Sequence, residues 1–374
     1  MDDDCGGCGV WAKCCIPDLE PRLTVCREAS PRGKIHQRLS IVRRLLAAVA
    51  IFWLSACVSD VFGFPPAAPA AWAADSDYRL VQEPEDGYSA VIGLIGTANR
   101  SVRVTMYELT DPVAVKALVD AHLRGVDTRV ILDAAFRGER SNAQTYRDLS
   151  AAGVNVKWAP NGVIYHQKTI TVDDTTSAVG TGNLTPRYYA TSRDAWVIDT
   201  NPVDVAAIGA TFDSDFASRP TGRPPEATPA PNLVWSPDAR ATFLQHIDRA
   251  ASSVEVTSEE LKDRAVISAL KKAAGRGVAC RIVLTENPAW AKGVAEVSAA
   301  GCSVHQFPDN PSALYIHEKI LLTDRNELII GSHNLSTASL LENRELSLAL
   351  DSATAPDLIE AVARTFDSDY AAAR

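Results

Sequence analysis

Histidine, lysine and asparagine recur in one spacing at two places, 151 residues apart. The first copy is His166, Lys168, Asp173, Gly180, Thr181 and Asn183, and the second is His317, Lys319, Asp324, Gly331, Ser332 and Asn334. From one residue to the next the steps are two, five, seven, one and two positions in both copies. A single His-x-Lys arises by chance in many proteins. Six matched positions that repeat in register indicate an internal duplication.

The repeated residue types suit a phosphodiester. Residues two apart on a strand share a face, so each His and its Lys are expected to point the same way. The hydroxyl and the amide behind each glycine add neutral hydrogen-bond donors for an oxyanion with two free oxygens. Two copies brought together would flank one phosphorus with two histidines. One can attack as a neutral nucleophile while the other protonates the leaving oxygen.

These arguments predict a catalytic set drawn from both copies: His166, His317, Lys168, Lys319, Asn183 and Asn334. Thr181 and Ser332 are predicted to bind substrate through their hydroxyls. No metal and no cofactor is expected. Asp173 and Asp324 each begin a turn after an apolar strand, so a structural role, in the turn or beside the lysine, is favoured over chemistry. Gly180 and Gly331 are assigned to the structural part of the motif, in a tight turn.

A second matched pair of acids lies eleven residues after the asparagine of each copy. These acids are Asp194 and Glu345, and each follows an arginine, Arg193 or Arg344. A carboxylate on the far nitrogen of a histidine fixes its tautomer and stabilises the imidazolium. Both acids are therefore added to the predicted catalytic set. The alternative is a surface ion pair between each acid and the neighbouring arginine.

The duplication extends beyond the motif. Residues 101–111 match 253–263, each a short alternating strand that ends on an Asp suited to cap a helix. Strand–helix–strand alternation predicts an α/β lobe with a largely parallel or mixed sheet in each half. Helices are expected to cover both faces of each sheet. Glu108 and Glu260 occupy equivalent positions behind the first strand and are candidates for a supporting layer around the histidines.

The doubled His-x-Lys, Asp, Gly-Ser/Thr-x-Asn pattern resembles the phospholipase D superfamily. The resemblance implies two pseudo-twofold-related α/β lobes, a phospholipase D-like sandwich, with the active site at the lobe interface. It also implies a covalent phosphohistidine, with His166 as nucleophile and His317 as acid/base. The resemblance further implies that acids such as Asp194 and Glu345 support the histidines, often from the opposite half of the chain. Thr181 departs from the usual Ser of the first copy, although its hydroxyl is retained.

The beginning of the chain indicates targeting. Residues 1–57 are predicted to be a signal or leader segment, in which a basic flank precedes the apolar run Leu45–Leu54. The residues ending at Cys57 resemble a bacterial lipobox, so a lipidated, exported envelope protein is expected. Plain secretion, an uncleaved anchor and a cytosolic protein are the alternatives. Beyond this point the cysteines are Cys280 and Cys302, which form either a disulfide or two buried thiols.

The remainder of the chain divides into four parts. Residues 58–76 are a predicted Pro/Ala-rich tether, and residues 77–217 the first lobe. Residues 218–231, with five prolines in fourteen positions, are a predicted linker to the second lobe, residues 232–374.

The composition, 46% hydrophobic and 22% charged, is that of a globular protein. The net charge is −9, and beyond Cys57 there are 29 basic against 40 acidic residues, a balance of −11. This balance disfavours a sequence-independent grip on a long polyanion, although it leaves room for a local basic groove.

The expected activity is that of a metal-independent phosphodiesterase. In its most specific form, the expectation is phospholipase D hydrolysis of a glycerophospholipid to phosphatidic acid and the head-group alcohol. The expected partners are the phospholipid and a membrane surface, and a monomer suffices for one active site. The alternatives are an exported nuclease of the same superfamily and a non-catalytic phosphate-binding envelope protein. A cardiolipin synthase would be expected to show clear membrane spans, and none appears after residue 57.

Overall fold

The structure, a computed structural model, describes residues 76–136, 138–218 and 224–374. The predicted leader, including Cys57, and the tether up to residue 75 lie outside the described residues. In the first lobe the order is β1 (Tyr78–Glu83), α1 (Ser89–Gly96), β2 (Ser101–Met106), α2 (Pro112–Leu123), β3 (Asp127–Leu132), α3 (Gly138–Ala151), β4 (Asn155–Trp158), β5 (Lys168–Val172), β6 (Thr176–Gly180), a 3-10 turn (Pro186–Tyr188), β7 (Ser192–Asp199) and α4 (Pro202–Ala217).

The second lobe repeats this succession. Its elements are β8 (Leu233–Ser236), α5 (Arg240–Arg249), β9 (Ser253–Thr257), α6 (Arg264–Gly275), β10 (Ala279–Thr285), α7 (Ala291–Ala299), β11 (Ser303–Phe307), β12 (Tyr315–Ile316), β13 (Ile320–Thr323), β14 (Glu327–Gly331), α8 (Thr337–Leu341), β15 (Glu345–Asp351) and α9 (Pro356–Ala372). Within the described ranges, no helix combines the length and the apolar character that crossing a membrane requires.

Each lobe is built on a mixed sheet, and the strand order is the same in both. The first sheet runs β1-β7-β6-β5-β2-β3-β4, and the second runs β8-β15-β14-β13-β9-β10-β11. In the first sheet β2, β3 and β4 are parallel and the other pairs are antiparallel, and the second sheet follows the same rule. The predicted mixed α/β class with two related lobes is confirmed.

The first long helix of each lobe begins where the sequence indicates. The Asp111 side chain accepts a hydrogen bond from the first turn of α2, which has Pro112 as its first residue. Asp263 does the same for α6, accepting from the N–H groups of Ala265 and Val266. Each cap therefore fixes the residue at which its helix begins.

The inner faces of the two sheets pack on each other, a contact that the sequence did not predict. Helices α4 and α9 share these inner faces, so helices lie on both faces of each sheet as expected. β6 contacts β14 and β15, and Val179 and Val197 share one apolar cluster with Ile330 and Leu346. Helices α1–α3 and α5–α7 pack on the outer faces. α4 lies against β2, β5 and β6, and α9 against β1 and β10. Strands such as β7 are buried along their whole length, so the central contact removes apolar surface of both lobes from water.

A short segment of each lobe pairs with the other lobe. β12 runs parallel to Ser192–Arg193 at the start of β7. In the first lobe, Tyr165 forms the matching parallel bridge with Arg344, directly before β15. Each of these segments lies immediately before the histidine of its own lobe. The exchange therefore places each histidine beside the sheet of the opposite lobe.

The described part of the predicted linker, residues 224–231, contains neither helix nor strand. It is nevertheless held to the lobes. The Pro225 carbonyl accepts a hydrogen bond from the Arg344 guanidinium, and the Thr228 N–H donates to the Thr211 hydroxyl at 2.9 Å.

Cys280 and Cys302 form a disulfide, which decides between the two alternatives that the sequence left open. Both cysteines are buried, at the starts of the neighbouring strands β10 and β11. Because the bridge closes a loop of 22 residues, replacing both cysteines by alanine is expected to lower the free energy of unfolding by about 3 kcal/mol. Urea denaturation of the two proteins measures this difference.

The reduced wild-type protein is the control, and it should unfold at the same urea concentration as the double variant. Neither cysteine lines the cavity described below, so activity of the folded protein should be retained. An unchanged urea midpoint would show that the bridge does not stabilise the fold.

Candidate active site

A cavity of about 1000 Å³ is lined by residues of both lobes. His166 and Asn183 of the first motif line it, together with His317 and Asn334 of the second. The duplication therefore delivers both motifs to one cavity.

His166 is fixed by a carboxylate of the opposite lobe. Its Nδ1 lies 2.9 Å from Oε2 of Glu345 and 3.1 Å from the carbonyl oxygen of Ser332. Both oxygens can only accept, so Nδ1 carries hydrogen and Nε2 of the neutral ring keeps its lone pair. Glu345 is fully buried and accepts hydrogen bonds from the Ser339 hydroxyl at 2.6 Å and the Asn343 amide at 3.0 Å. This network leaves Nε2 as the reactive nitrogen.

His317 has the equivalent arrangement. Its Nδ1 lies 2.8 Å from Oδ1 of Asp194, which also accepts from the Thr181 hydroxyl at 2.7 Å. Oδ2 accepts from the Ser192 hydroxyl at 2.9 Å. Burial by itself raises the pKa of Asp194, but the charge and hydrogen bond of His317 outweigh burial and bring the pKa below its usual range. Asp194 is therefore a carboxylate, suited to hold an imidazolium.

The arginines that precede these acids point away from them. Arg193 pairs with Asp369 at 2.7 Å, and Arg344 pairs with Asp215 at 2.7 Å. Successive residues of a strand face opposite sides, so the acid and its arginine neighbour cannot share a partner. The alternative of an ion pair between each acid and its own arginine is wrong.

Thr181 and Ser332 do not face the cavity, which corrects the substrate-binding role predicted for them. The Thr181 hydroxyl donates to Asp194 and accepts from the Ala195 N–H at 2.8 Å. The Ser332 hydroxyl accepts from the Leu346 N–H at 3.0 Å. Both residues are fully buried. The end of each hairpin turns these hydroxyls toward the adjacent strand, where they hold the strand that carries the acid.

The aspartates of the two motifs tie a hairpin turn to a neighbouring loop. Asp173 accepts hydrogen bonds from the N–H groups of residues 99–101 at 2.7 to 2.9 Å. Asp324 accepts in the same way from residues 251–253. Both aspartates adopt a positive φ of 53°, a turn conformation that Asp tolerates. Their position is structural and distant from the histidine contacts.

The two motif glycines permit close approach of the strand that carries the acid. A Cβ at Gly180 would lie 2.5 Å from the Trp196 ring, and one at Gly331 would lie 2.4 Å from the Leu346 carbonyl oxygen. Any side chain at either position would push apart the strands that position the carboxylates.

The two motif lysines lie beneath the cavity. Lys168 is fully buried; its Nζ donates to the His166 carbonyl and lies 5.1 Å from the centre of the Tyr107 ring. Burial lowers the pKa of Lys168 to about 7. Lys319 Nζ donates to the His317 carbonyl and pairs with Glu259 at 3.0 Å. Each ammonium group is thus held against the backbone of the histidine in its own motif, and neither lysine is part of the cavity lining.

Asn183 and Asn334 line the cavity with unsatisfied amides. The side-chain oxygen of each is buried and has no hydrogen-bond partner among the residues that the structure describes. A buried polar group without a partner costs about 1–3 kcal/mol. A bound group that hydrogen-bonds to these amides would relieve that cost.

Two residues of this site were missed by the sequence reasoning. The Tyr107 ring lies edge-on to His166 with 4.7 Å between centroids. Glu259 Oε2 lies 3.5 Å from Nε2 of His317. Tyr107 and Glu259 occupy equivalent positions in the duplication, but their side chains differ. Residues that match between the halves therefore could not indicate them. The difference between the two side chains was the available signal.

The neighbouring matched glutamates line the cavity but serve other partners. Glu108 accepts a hydrogen bond from the Ser141 hydroxyl at 3.1 Å. Glu260 pairs with Lys262 at 2.8 Å. The supporting role proposed for these two residues around the histidines belongs, on this geometry, to Glu259.

Two α/β lobes that each bring a carboxylate-bound histidine to one cavity define a class of phosphodiester-processing enzyme. The family model described as "Cardiolipin synthase, PLD-like domain" matches residues 91–216 and 243–370. The chain belongs to the phospholipase D superfamily and carries its domain twice.

The chain is similar to curated cardiolipin synthases. Cardiolipin synthase A of Pseudomonas entomophila (strain L48) is 26% identical over 79% of this chain and 69% of that protein. The corresponding enzyme of Pseudomonas fluorescens (strain SBW25) is 27% identical over 74% of this chain and 65% of its own length. The chain thus spans about two thirds of these relatives. On sequence alone, a cardiolipin synthase was disfavoured because no clear membrane span follows residue 57. The similarity to curated cardiolipin synthases does not support that expectation.

A solved structure shows the same fold. The phosphatidylserine synthase of Haemophilus influenzae Rd KW20 superposes with a TM-score of 0.61 at 12% identity, covering 79% of this chain and 86% of that one.

Proposed function

We propose that the protein takes the phosphatidyl group of a glycerophospholipid onto His166 and transfers it to an alcohol or to water. With water as acceptor the products are phosphatidic acid and the head-group alcohol. One observation carries the proposal: two histidines share a cavity, and a carboxylate of the opposite lobe holds each of them through Nδ1.

In the first step Nε2 of His166 attacks phosphorus. The N–P bond forms, the P–O bond to the head group breaks, and the leaving oxygen takes the proton from Nε2 of His317. In the second step the acceptor oxygen gives its proton to His317 and attacks phosphorus, and the N–P bond breaks. The protein returns to its starting protonation state.

The different surroundings of the two histidines support this division of roles. Burial lowers the pKa of His166, so its ring is neutral and nucleophilic near neutral pH. Nε2 of His317 faces the Glu259 carboxylate at 3.5 Å. A carboxylate accepts hydrogen bonds only, so this contact favours a ring that carries hydrogen on both nitrogens. His317 is the proton donor on this argument, which the symmetric sequence motifs could not provide.

The remaining motif residues hold the phosphate. Lys168 and Lys319 supply positive charge, and the side-chain NH2 groups of Asn183 and Asn334 donate to the non-bridging oxygens and orient them. Fixed donors of this kind act most strongly on the charge that develops in the transition state.

The lining of the cavity supports a lipid substrate over a nucleic acid. Carboxylates of Glu108, Glu259 and Asp309 line it beside the exposed rings of Phe136 and Tyr188. Arg187 and Lys262 also line it, and Lys262 is paired with Glu260. Carboxylates repel a polyanionic strand, while one phosphodiester with a neutral or cationic head group has no such conflict. The names of the relatives point to phospholipids as well. A membrane surface as partner, export and lipidation of Cys57 are part of the same proposal.

The test is incubation of the full-length protein with vesicles of phosphatidylglycerol and phosphatidylethanolamine, with and without ethanol. Phosphatidic acid reports hydrolysis, and phosphatidylethanol reports transfer. Both products should form, should persist in EDTA and should disappear in His166→Ala. Degradation of single-stranded DNA without any lipid product would establish the nuclease instead. No product from either substrate would establish a non-catalytic binding protein.

The pH dependence of kcat/KM is expected to be bell-shaped with its maximum below about pH 7. The rate constant rises with pH as His166 loses its proton, below the ordinary histidine range because burial lowers its pKa. It falls as pH passes about 7, because burial lowers the pKa of Lys168 to about 7 and the neutral amine no longer attracts phosphate. Initial rates on a soluble diester between pH 4 and 9 give the profile.

Lys168→Arg is the matched control, because a guanidinium keeps its charge throughout this range. Its alkaline limb should move upward even if the longer side chain lowers kcat. An alkaline limb at the same pH in both proteins would show that Lys168 does not set it.

A further inference from the structure

Glu259 breaks the symmetry of the duplicated site. Its Oε2 lies 3.0 Å from Lys319 Nζ and 3.5 Å from His317 Nε2, and its Oε1 accepts from the Tyr315 hydroxyl at 3.1 Å. The side chain is 20% exposed and lines the cavity. The equivalent residue of the first lobe, Tyr107, offers an aromatic ring and no charge. His317 therefore has a fixed carboxylate near its reactive nitrogen, whereas no carboxylate of the described ranges pairs with Nε2 of His166.

The carboxylate is ionised. Burial alone raises the pKa of Glu259, but the positive charges of Lys319 and His317 outweigh burial and hold the pKa far below its usual range. The Tyr315 hydroxyl fixes one oxygen in place. Consequently the charge sits at a defined point, on the His317 side of the cavity.

In the proposed reaction, that point lies beside the leaving oxygen in the first step and beside the acceptor oxygen in the second. The leaving oxygen must approach Nε2 of His317 to receive a proton, and the acceptor oxygen must later approach the same nitrogen to lose one. A carboxylate 3.5 Å from that nitrogen lies within reach of a polar group on the next carbon of the alcohol. It can accept a hydrogen bond from a hydroxyl or an ammonium there, and it repels an anionic group.

We propose that Glu259 selects the alcohol. It favours an alcohol with a hydrogen-bond donor on the carbon adjacent to the one that bears the reacting oxygen, as in glycerol or ethanolamine, and disfavours an anionic one. The inference rests on the proposed phosphotransfer and names the class of head group and acceptor that this site takes. Asp309, which lines the same cavity, adds to the negative field around the alcohol.

The experiment is a competition between acceptors. The full-length protein receives equal concentrations of glycerol and 1-propanol, or of ethanolamine and 1-propanol, and the ratio of transfer products is measured. Both acceptors partition one phosphohistidine, so the ratio does not depend on the amount of active protein. The wild type should favour the donor-bearing alcohol by about tenfold, the size expected of one hydrogen bond to a charged group.

Glu259→Ala should bring both ratios close to one. Glu259→Gln should keep part of the preference for glycerol and lose the preference for ethanolamine, because an amide hydrogen-bonds but carries no charge. Glu327→Gln is the matched control: its carboxylate also lies beside a histidine, His246, at 3.2 Å, but outside the cavity, and the ratios should stay at wild-type values. A wild-type ratio in Glu259→Ala, or no preference in the wild type, overturns the inference.

Running the competition with two phosphoryl donors separates this inference from the proposed function. One donor is a phosphatidylglycerol vesicle, used with isotope-labelled glycerol so that the transfer product differs from the donor. The other is bis(p-nitrophenyl) phosphate, whose leaving group has no hydrogen-bond donor. Transfer from the soluble diester alone would contradict the lipid substrate and still report the effect of Glu259. Transfer from both donors with ratios that Glu259→Ala leaves unchanged would contradict only the role of Glu259.

Discussion

His166→Ala is expected to lose at least about 10⁴-fold in kcat on every phosphodiester that the wild type cleaves, because it removes the side chain that we propose forms the covalent intermediate. In the proposed mechanism His166 supplies the attacking Nε2, and its Nδ1 lies 2.9 Å from the Glu345 carboxylate. The fold should survive, since a ring at the cavity wall is removed and the core is left intact. Circular dichroism checks the fold, and initial rates on bis(p-nitrophenyl) phosphate check the loss.

His317→Ala is the matched control because it removes the acid and keeps the nucleophile. Nitrophenolate leaves without a proton, so this variant should still release one equivalent of it in a rapid burst. Turnover should then stall, because the acceptor has lost its base, with a rate lower by about 10²- to 10⁴-fold. Phosphoryl label should remain on the His317→Ala protein and never appear on His166→Ala. Label that accumulates on His166→Ala, with none on His317→Ala, would show that His317 is the nucleophile and His166 the acid/base.

Glu345→Gln should lower kcat by about 10³- to 10⁴-fold with little change in KM, the size of effect seen when a triad carboxylate becomes an amide. The amide can donate to Nδ1 of His166, which favours the tautomer with hydrogen on Nε2. That tautomer cannot attack phosphorus. Because Glu345 also accepts from Ser339 and Asn343, the hydrogen-bonded frame around it is largely kept. The failure should therefore lie in formation of the phosphohistidine, which a burst experiment measures directly.

Asp194→Asn supplies the comparison across the pseudo-twofold axis. It disturbs His317, so the burst with a nitrophenyl leaving group should survive and the later steady rate should fall. Glu327→Gln is the control outside the site, because Glu327 also contacts a histidine, His246, at 3.2 Å. Its kcat should stay within about twofold of the wild type. Equal effects of Glu345→Gln and Glu327→Gln would contradict the catalytic role of the cross-lobe carboxylates.

Much of the site could be predicted because its residues repeat at fixed spacing. The interval of two residues from His166 to Lys168 recurs in the second half, and the matched Asp194 and Glu345 identified the acids without a structure. Substrate binding by Thr181 was predicted wrongly from residue type alone. A hydroxyl one residue beyond a strand can face either the cavity or the next strand, and the packing of that strand on β7 decides which.

The sequence by itself determined the duplication, the mixed α/β lobes, the superfamily and the two histidine–lysine pairs, because these depend on local spacing and on periodicity within a strand. Only the tertiary structure decided which lobe holds each histidine, the close contact of Glu259 with His317, and the direct packing of one sheet on the other. Each of these depends on segments more than 50 residues apart in sequence. The two lobes associate because this removes the apolar faces of both sheets from water. The local spacing of residues in the sequence carries no information about that contact.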